Sequence, residues 1–452
     1  MNIIIAGAGK VGINLAKQLS AEGHDLTLID FSRQVLSVCT EQLDVMAVQG
    51  NCASMNTLLQ AGVKDADLLI AVTNADEINL LCCTTAHGIN EKLHTIARIR
   101  NPEYTDQIYQ MRDIFGLSMA INPEKQAATE MERLLRYPGF SRRDTFAKGR
   151  AEIVELRVDA NSKLKNISLM EMNSVVKTKV LVCAVIRNGQ AVAPNGNFVL
   201  REGDRIFVTA PTQNLSALLK NLGIIARRAR KVILCGGGRI SYYLATLLCR
   251  HGVSVQLIDN NPDRCRELAA LLPEVDVILG DATDHALLES EGLSGCDALV
   301  TLTGIDELNM IISMYGSSRN IPQVITKLSH IGSRDIIDSL ALSSIVCPKD
   351  MCCNSIVRYV RAMQNQTGAA VSLHTIADGQ AEAVEFLVDA NTRNCGKPLK
   401  DLKLKPNVLI ASITHGAETE VPHGNSVFNE GDSLVVVTSG RGVLQQLNDI
   451  FA

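Results

Sequence analysis

Asn2-Ile3-Ile4-Ile5-Ala6-Gly7-Ala8-Gly9-Lys10-Val11-Gly12 is the stretch that decides the fold. Ile3 to Ala6 is an apolar run of strand length, and Gly7-x-Gly9-x-x-Gly12 follows it directly. Val11, Leu15 and Leu19 then recur at helical spacing, and Leu26-Thr27-Leu28-Ile29 is a second apolar run that ends at Asp30. Strand, glycine turn, helix, strand and acidic residue in this order form a dinucleotide-binding fingerprint. Gly7 permits the tight turn, Gly9 lets backbone approach a pyrophosphate, and Gly12 lets helix and strand pack closely. The helix N-terminus offers free N–H groups and a positive dipole end to phosphates. Asp30 is placed to accept hydrogen bonds from a ribose 2′-hydroxyl and to repel a 2′-phosphate, which favours NAD(H) or an adenosine ligand over NADP.

The stretch returns as Lys231-Val-Ile-Leu-Cys235-Gly236-Gly237-Gly238-Arg239-Ile240-Ser241, followed by a helical run and Val255-Gln-Leu-Ile258-Asp259. First glycines and acidic residues keep one spacing, 236 − 7 = 259 − 30 = 229, so the chain is a tandem duplication. After each glycine unit the alternation of strand and helix continues. In the first copy Val45–Gln49, Asp67–Thr73, Thr95–Ile99 and Ile114–Ile121 read as further strands of one doubly wound sheet. Pro123 to Tyr137 reads as an amphipathic helix ended by Pro138-Gly139, and Ser141 to Asp144 as a polar connector. Residues 152–222 then read as a smaller unit of strands and short helices, with a hairpin at Asn188-Gly189 and a turn at Glu202-Gly203-Asp204. A short basic link, Ala226 to Arg230, leads to the second copy, where Asp281 stands in place of Asn51, Thr303 of Thr73 and Lys327 of Arg98. Glu430-Gly431-Asp432 repeats the turn of the small unit.

Composition narrows the class. Forty-four basic against 48 acidic residues give a net charge of −4, which recommends no nucleic-acid partner, and the absence of Trp with only 4% aromatics argues against base-stacking platforms. No apolar run approaches the ~18–20 residues of a membrane helix, and no charged leader precedes the first strand, so a soluble chain without direct lipid insertion is expected. The 13 cysteines are scattered without C-x-x-C spacing and read as buried reduced thiols; neither they nor the nine histidines show metal-ligand spacing.

Ile3 to Gly12, Ala71-Val-Thr-Asn-Ala-Asp-Glu-Ile-Asn79, Ala97-Arg-Ile-Arg100 and the large–small–large–small order together resemble the tandem RCK (KTN/TrkA-C) family over essentially the whole chain. The resemblance implies an α/β architecture of two doubly wound parallel-sheet Rossmann domains, each followed by a small α+β RCK-C domain. The domains are expected at 1–124, 140–225, 231–350 and 368–452. It implies a cytoplasmic regulator, not an enzyme, that binds NAD(H), with ATP or ADP as the alternative, in a homo-oligomeric ring. The ring would gate a membrane potassium-translocating subunit of the TrkH/TrkG type at the inner face of the cell membrane. Carried onto this sequence, the binding residues are Gly7, Ala8, Gly9, Lys10, Val11 and Gly12 around the pyrophosphate and Asp30 at the ribose. Thr73 and Asn74 would lie near the diphosphate with Arg98 supplying charge, and Gly236, Gly238, Asp259, Asp281 and Thr303 would form the second site. Ser241 in place of the third glycine is expected to widen the helix–strand approach and leave the first site dominant.

Alternatives stay open at single residues. Thr73 and Thr303 have the alternative of capping the next helix, Arg98 of a surface ion pair, Lys327 of idle solvation, and Asp76 and Asp306 of simple dipole stabilisation. An NAD-dependent oxidoreductase is the rival from another class, but no Tyr-x-x-x-Lys and no paired acid–base set stands out. Ala127, Met131, Leu134 and Leu135 share one face of the Pro123–Arg136 helix and need a covering surface. That surface is expected on a neighbouring Rossmann unit, its own domain, or the second copy in the same chain.

Overall fold

The computed structural model describes residues 1–136, 142–223, 229–329, 342, 344–363, 370–377, 380–439 and 446–452. The first copy opens β1 (Asn2–Ala6), α1 (Lys10–Ala21), β2 (Asp25–Asp30), α2 (Arg33–Gln42), β3 (Met46–Gln49), α3 (Met55–Gln60) and β4 (Leu68–Ala71). It continues α4 (Asp76–Ile89), β5 (His94–Arg98), α5 (Pro102–Met111), β6 (Met119–Ile121) and α6 (Pro123–Arg136). The first small unit holds β7 (Arg142–Phe146), β8 (Ala151–Arg157), α7 (Leu169–Val176), β9 (Leu181–Arg187), β10 (Gln190–Val192), β11 (Arg205–Pro211) and α8 (Thr212–Leu222). The second copy runs β12 (Lys231–Cys235), α9 (Arg239–Arg250), β13 (Ser254–Asp259), α10 (Pro262–Leu271), β14 (Asp276–Leu279) and α11 (His285–Ser290). It goes on with β15 (Ala298–Thr301), α12 (Asp306–Ser318), β16 (Gln323–Lys327), β17 (Ser344–Val346) and α13 (Pro348–Met363). The last small unit holds β18 (Ala370–Ile376), β19 (Ala381–Leu387), β20 (Val408–His415), β21 (Glu418–Glu420) and β22 (Ser433–Ser439).

Both copies build the same six-stranded sheet, in the orders β3-β2-β1-β4-β5-β6 and β14-β13-β12-β15-β16-β17. β1 and β4 are buried along nearly their whole length, as expected of parallel strands covered on both faces. Ala6 is level with Ile29 on one side and Ala71 on the other, so Gly7, Asp30 and the turn after β4 leave the sheet along one edge. The order reverses between β1 and β4, which is where a crevice forms in such sheets.

The small units are five-stranded sheets with β10-β9-β11-β8-β7 and β18-β19-β22-β20-β21 order. Asn188 and Gly189 both have positive φ, +53° and +76°, the torsions a two-residue hairpin demands. The Glu-Gly-Asp turns have a structural cause. Asp204 accepts from Arg187 Nε at 2.8 Å and Nη2 at 2.7 Å and from Arg201 N at 2.7 Å, tying turn to hairpin. Asp432 does the same with His415 Nδ1 at 2.8 Å and Asn429 N at 2.7 Å.

Two expectations are corrected. The sixth strand starts at Met119, because Ile114, Gly116 and Leu117 donate back to Met111, Asp113 and Arg112 and finish the preceding helix. The polar connector at Arg142–Asp144 belongs to β7, an edge strand paired antiparallel with β8 that places Phe146 in a core. The helix stop at Pro138-Gly139 and most of the basic link fall outside the described residues.

Contacts gather the chain into two compact units: Met1–Glu132, Arg230–Gly332 and Val346–Val357 form one, and Arg133–Ala229, Ser333–Ile345 and Arg358–Ala452 the other. Like parts are thus grouped, the two parallel sheets in the first unit and the two antiparallel sheets in the second. Within the second, Phe146, Ile153 and Phe207 share one core with Ile376, Ala383 and Val437. All 13 cysteines are free thiols, and 11 of them are buried.

Candidate functional site

The glycine turns show which constraint acts at each position. Gly7 has φ +104° and donates to Ile29 O at 2.8 Å; a Cβ there would lie 3.0 Å from Thr73 N. A Cβ on Gly12 would meet Gly7 O at 1.9 Å, so the chain itself forbids a side chain at both. Gly9 differs. Its φ is −72° and a Cβ would meet nothing within 4 Å, and Gly238 is the same with φ −69°. Nothing inside the chain requires glycine there, and the open space in front of that backbone is what a pyrophosphate would fill. Neither α1 nor α9 has a side-chain cap, which leaves first-turn N–H groups to an anion. The residues therefore fit the phosphates of a nucleotide.

Ser241 stands at the position matching Gly12. It is fully buried and its hydroxyl donates to Gly236 O. Gly236 keeps φ +109°, close to Gly7.

Asp30 and Asp259 sit at the ends of β2 and β13. Asp30 Oδ2 accepts from Ala8 N at 2.7 Å and Oδ1 from Ser32 N at 2.8 Å; Asp259 accepts from Gly237 N at 2.6 Å and Asn261 N at 2.8 Å. Each carboxylate holds its glycine turn and keeps lone pairs for a ribose diol. Asp281 accepts from Thr283 N at 2.9 Å and Thr283 Oγ1 at 2.8 Å, and these bonds hold its carboxyl below the usual range.

The turn after β4 is clamped by a residue that sequence reasoning left without a role. Asn79 is fully buried; its Oδ1 accepts from Thr73 N at 2.8 Å and Thr73 Oγ1 at 2.7 Å, and its Nδ2 donates to Arg98 O at 2.8 Å. Asn309 repeats this with Thr303 N at 2.9 Å, Thr303 Oγ1 at 2.8 Å and Lys327 O at 3.0 Å. Both threonines are thus held by an asparagine; the cap residues before α4 and α12 are Ala75 and Ile305, whose N–H groups reach Thr73 Oγ1 at 3.4 Å and Thr303 Oγ1 at 3.3 Å. The recurrence of Asn at matching places was the available signal.

Arg98 is buried, not a surface ion-pair partner. Its Nη2 donates to Thr73 O at 2.7 Å and to Asn74 Oδ1 at 3.5 Å, its Nε makes no hydrogen bond, and burial followed by the charge of Arg100 lowers its pKa. Lys327 is not idle: its Nζ donates to Thr303 O at 2.7 Å, and burial lowers its pKa. Asp76 does more than face a dipole, accepting from Arg100 N and Asn101 N at 2.7 Å each, and Asp306 accepts from Ser329 N at 2.8 Å.

Around the second glycine turn lies a cleft of about 680 Å³, lined among others by Gly238, Arg239, Asp259, Asp281, Thr303 and Lys327. Glu124, from the first copy, also lines it. The two copies interlock here. Tyr243 of α9 donates to Arg100 O at 3.0 Å and receives Asn122 Nδ2 at 3.0 Å. Asn14, at the matching place on α1, donates to Asp350 Oδ1 at 3.4 Å on α13, and Gln126 Nε2 of α6 reaches Ser355 Oγ at 3.2 Å. Ala127, Met131, Leu134 and Leu135 are all buried within this single chain. Of the helix, Gln126 makes a hydrogen bond to the second copy, at Ser355.

The TrkA-N domain family matches residues 3–123 and 232–348, and the TrkA-C domain family matches 153–223 and 383–452. This chain belongs to the TrkA family. A Trk system potassium uptake protein TrkA homolog of Archaeoglobus fulgidus is 32% identical over 451 residues, spanning 100% of both chains. In fold, the chain is similar to the RCK domain of GsuK, with TM-score 0.63 and 16% identity over 97% of this chain and 92% of that one. The GsuK channel bound to NAD is similar at TM-score 0.62 and 17% identity, covering 97% of this TrkA-family chain and 76% of that one. The TrkA-family relative carries the name of a transport-system protein.

Proposed function

We propose that the chain is a cytoplasmic regulatory subunit of a Trk-type potassium-uptake system, controlled by nucleotides bound at its two glycine turns. NAD(H) is the expected ligand, with ATP or ADP as the alternative. The observation that carries this reading is Gly9 with Gly238: two turns of one shape, each with open space before a glycine that the chain itself does not need. The family, and the NAD named for the GsuK channel, support it. No helix among the described residues is long and apolar enough to cross a membrane, so action on potassium flow calls for a membrane partner of the TrkH/TrkG type. A homo-oligomeric ring at the inner membrane face would deliver it. Domain limits of 1–124, 140–225, 231–350 and 368–452 belong to the same proposal.

Mass spectrometry of the nucleotide released from freshly purified protein, followed by titration calorimetry with NADH, NAD, ATP and ADP, tests the reading. Binding of at least one of them to the wild-type chain is expected. A chain that binds none of the four refutes it.

A further inference from the structure

The two parallel sheets end on matching strands, β3 and β14, whose surroundings differ. Each is the outer strand of its sheet among the described residues, with one line of backbone N–H and C=O groups left without a neighbouring strand. Around β3 the side chains are apolar: Phe31, Val38, Met46, Met55 and Leu59 are between 40% and 68% exposed. At the matching places the second copy has Asn260, Glu267, Asp276, His285 and Glu289. Residues 31–60 hold three charged side chains, Arg33, Glu41 and Asp44, whereas residues 260–290 hold nine. The fold itself therefore does not need an apolar edge.

The second edge is finished within the chain. His285 stacks on Tyr315 with ring centroids 3.7 Å apart, and Glu289 pairs with Arg319 at 2.7 Å. On α10, Glu267 pairs with Arg264 at 2.7 Å and Asp263 with Arg266 at 2.8 Å. Leu271 and Leu279 stay exposed there, but Asp276 on the strand itself opposes the approach of another strand. The first edge lacks this closure. Arg33 and Glu41 stand at the two ends of α2 without an ion-pair partner among the described residues. α2 and α3 lie on opposite faces of the sheet, since the chain steps outward to β3 through one and returns to β4 through the other. Val38 thus extends the apolar edge on one face, Met55 and Leu59 on the other, with Met46 on the strand between them.

The occupant that fits is the same edge of another chain. A two-fold axis normal to the sheet lays β3 antiparallel to β3 and α2 antiparallel to α2. Arg33 and Glu41 are eight residues apart, about 12 Å of helix. Two α2 helices that meet at Ser37 therefore bring each Arg33 beside the Glu41 of the other chain, and the charges of this face complement themselves. Pairing of β3 with a β14 edge would instead set Met46 against Asp276, so the contact closes after two chains and does not grow into a filament. We propose that the β3 edge of the first copy is a self-association surface whose partner is the same edge of a second chain. This inference deepens the oligomeric part of the proposed function and does not depend on nucleotide binding.

Light scattering and sedimentation equilibrium of the full chain test it, in the wild type, Met46→Asp, Val38→Glu, Arg33→Glu, Glu41→Arg and the double variant Arg33→Glu/Glu41→Arg. Met46→Asp and Val38→Glu bring in the residue types that the second copy has at the same places, so the fold is expected to hold. At a concentration where the wild type is associated, the mean mass is expected to fall by half in both. Arg33→Glu and Glu41→Arg each set like charges together across the axis and should weaken association at least threefold. Each also places its charge favourably along the helix dipole, so a weaker helix is not the cause. The double variant should associate again within threefold of the wild type. Unchanged mass in Met46→Asp and Val38→Glu overturns the proposal and leaves the face to a different partner. A double variant no better than the single ones overturns it too. A wild-type chain that is monomeric at every concentration overturns it together with the ring, whereas one that associates and binds no nucleotide refutes the nucleotide reading and leaves this one standing.

Discussion

At the scale of residues, three glycines of one motif answer to three different constraints, and substitutions separate them. Gly9→Ala has open space and an ordinary φ, so the fold should hold, with thermal unfolding within a few degrees of the wild type. The added methyl stands where a pyrophosphate would lie, and NADH affinity is expected to fall about tenfold or more, read by calorimetry. Gly12→Ala drives a Cβ into Gly7 O and should lower stability by about 1–3 kcal/mol, seen in urea unfolding before any ligand is added. Asp30→Ala takes away an acceptor from Ala8 N and Ser32 N as well as from a ribose. A loss of at least tenfold in NADH binding is expected, together with a stability cost of about 1–3 kcal/mol for the stranded N–H groups. Asp259 makes the matching pair of contacts, so its removal should harm its own cleft to a like degree.

At the scale of elements, α9 is joined to the first copy through one buried hydroxyl. Tyr243 touches Arg100 O, Asn122 Nδ2 and Thr105 Oγ1 at 3.0–3.1 Å. Tyr243→Phe keeps the ring and removes all three contacts, leaving Asn122 Nδ2 only its longer bonds to Thr105 Oγ1 at 3.3 Å and Arg100 O at 3.5 Å. A loss of about 1–3 kcal/mol in the unfolding of the parallel-sheet unit is expected. Urea unfolding followed by hydrogen exchange of α5 and α9 amides locates it. The effect should appear in both copies at once, since the contact belongs to both.

For the whole molecule, regulation requires that a ligand favour one arrangement over another, since tight binding to both moves nothing. Shifting an equilibrium from 1:99 to 99:1 takes about 5.5 kcal/mol of differential affinity, while a coupling of about 1–3 kcal/mol is usual for one site. Several sites acting together in the proposed ring would reach that total. The apolar face of α6 is already buried inside one chain, so it does not itself call for a second. A ring must use other surfaces, and light scattering is the direct measurement. A mass that is a multiple of the 48.9 kDa chain is expected, and a monomer at every concentration and with every nucleotide would refute the ring. With no long apolar helix among the described residues, the purified chain is expected to stay in the supernatant when spun with protein-free liposomes.

The sequence by itself determined the two Rossmann halves, because strand run, glycine spacing and terminal acid are local features whose physics acts within about 30 residues. It also determined the repeat, and with it the hairpins and Glu-Gly-Asp turns, whose torsions and carboxylate anchors lie a few positions apart. β7 escaped, since an edge strand of mixed polarity looks like a connector until β8 pairs with it. Ser241 looked like a defect in the motif, because only the folded turn shows its hydroxyl aimed at Gly236 O. Arg98 and Lys327 each kept a surface reading among their alternatives, and their burial beneath the Thr73 and Thr303 turns depends on strands far away in sequence. Glu124 was beyond reach for the same reason. It stands more than 100 residues from the glycine turn whose cleft it lines, and only the packing of one copy against the other brings the two together.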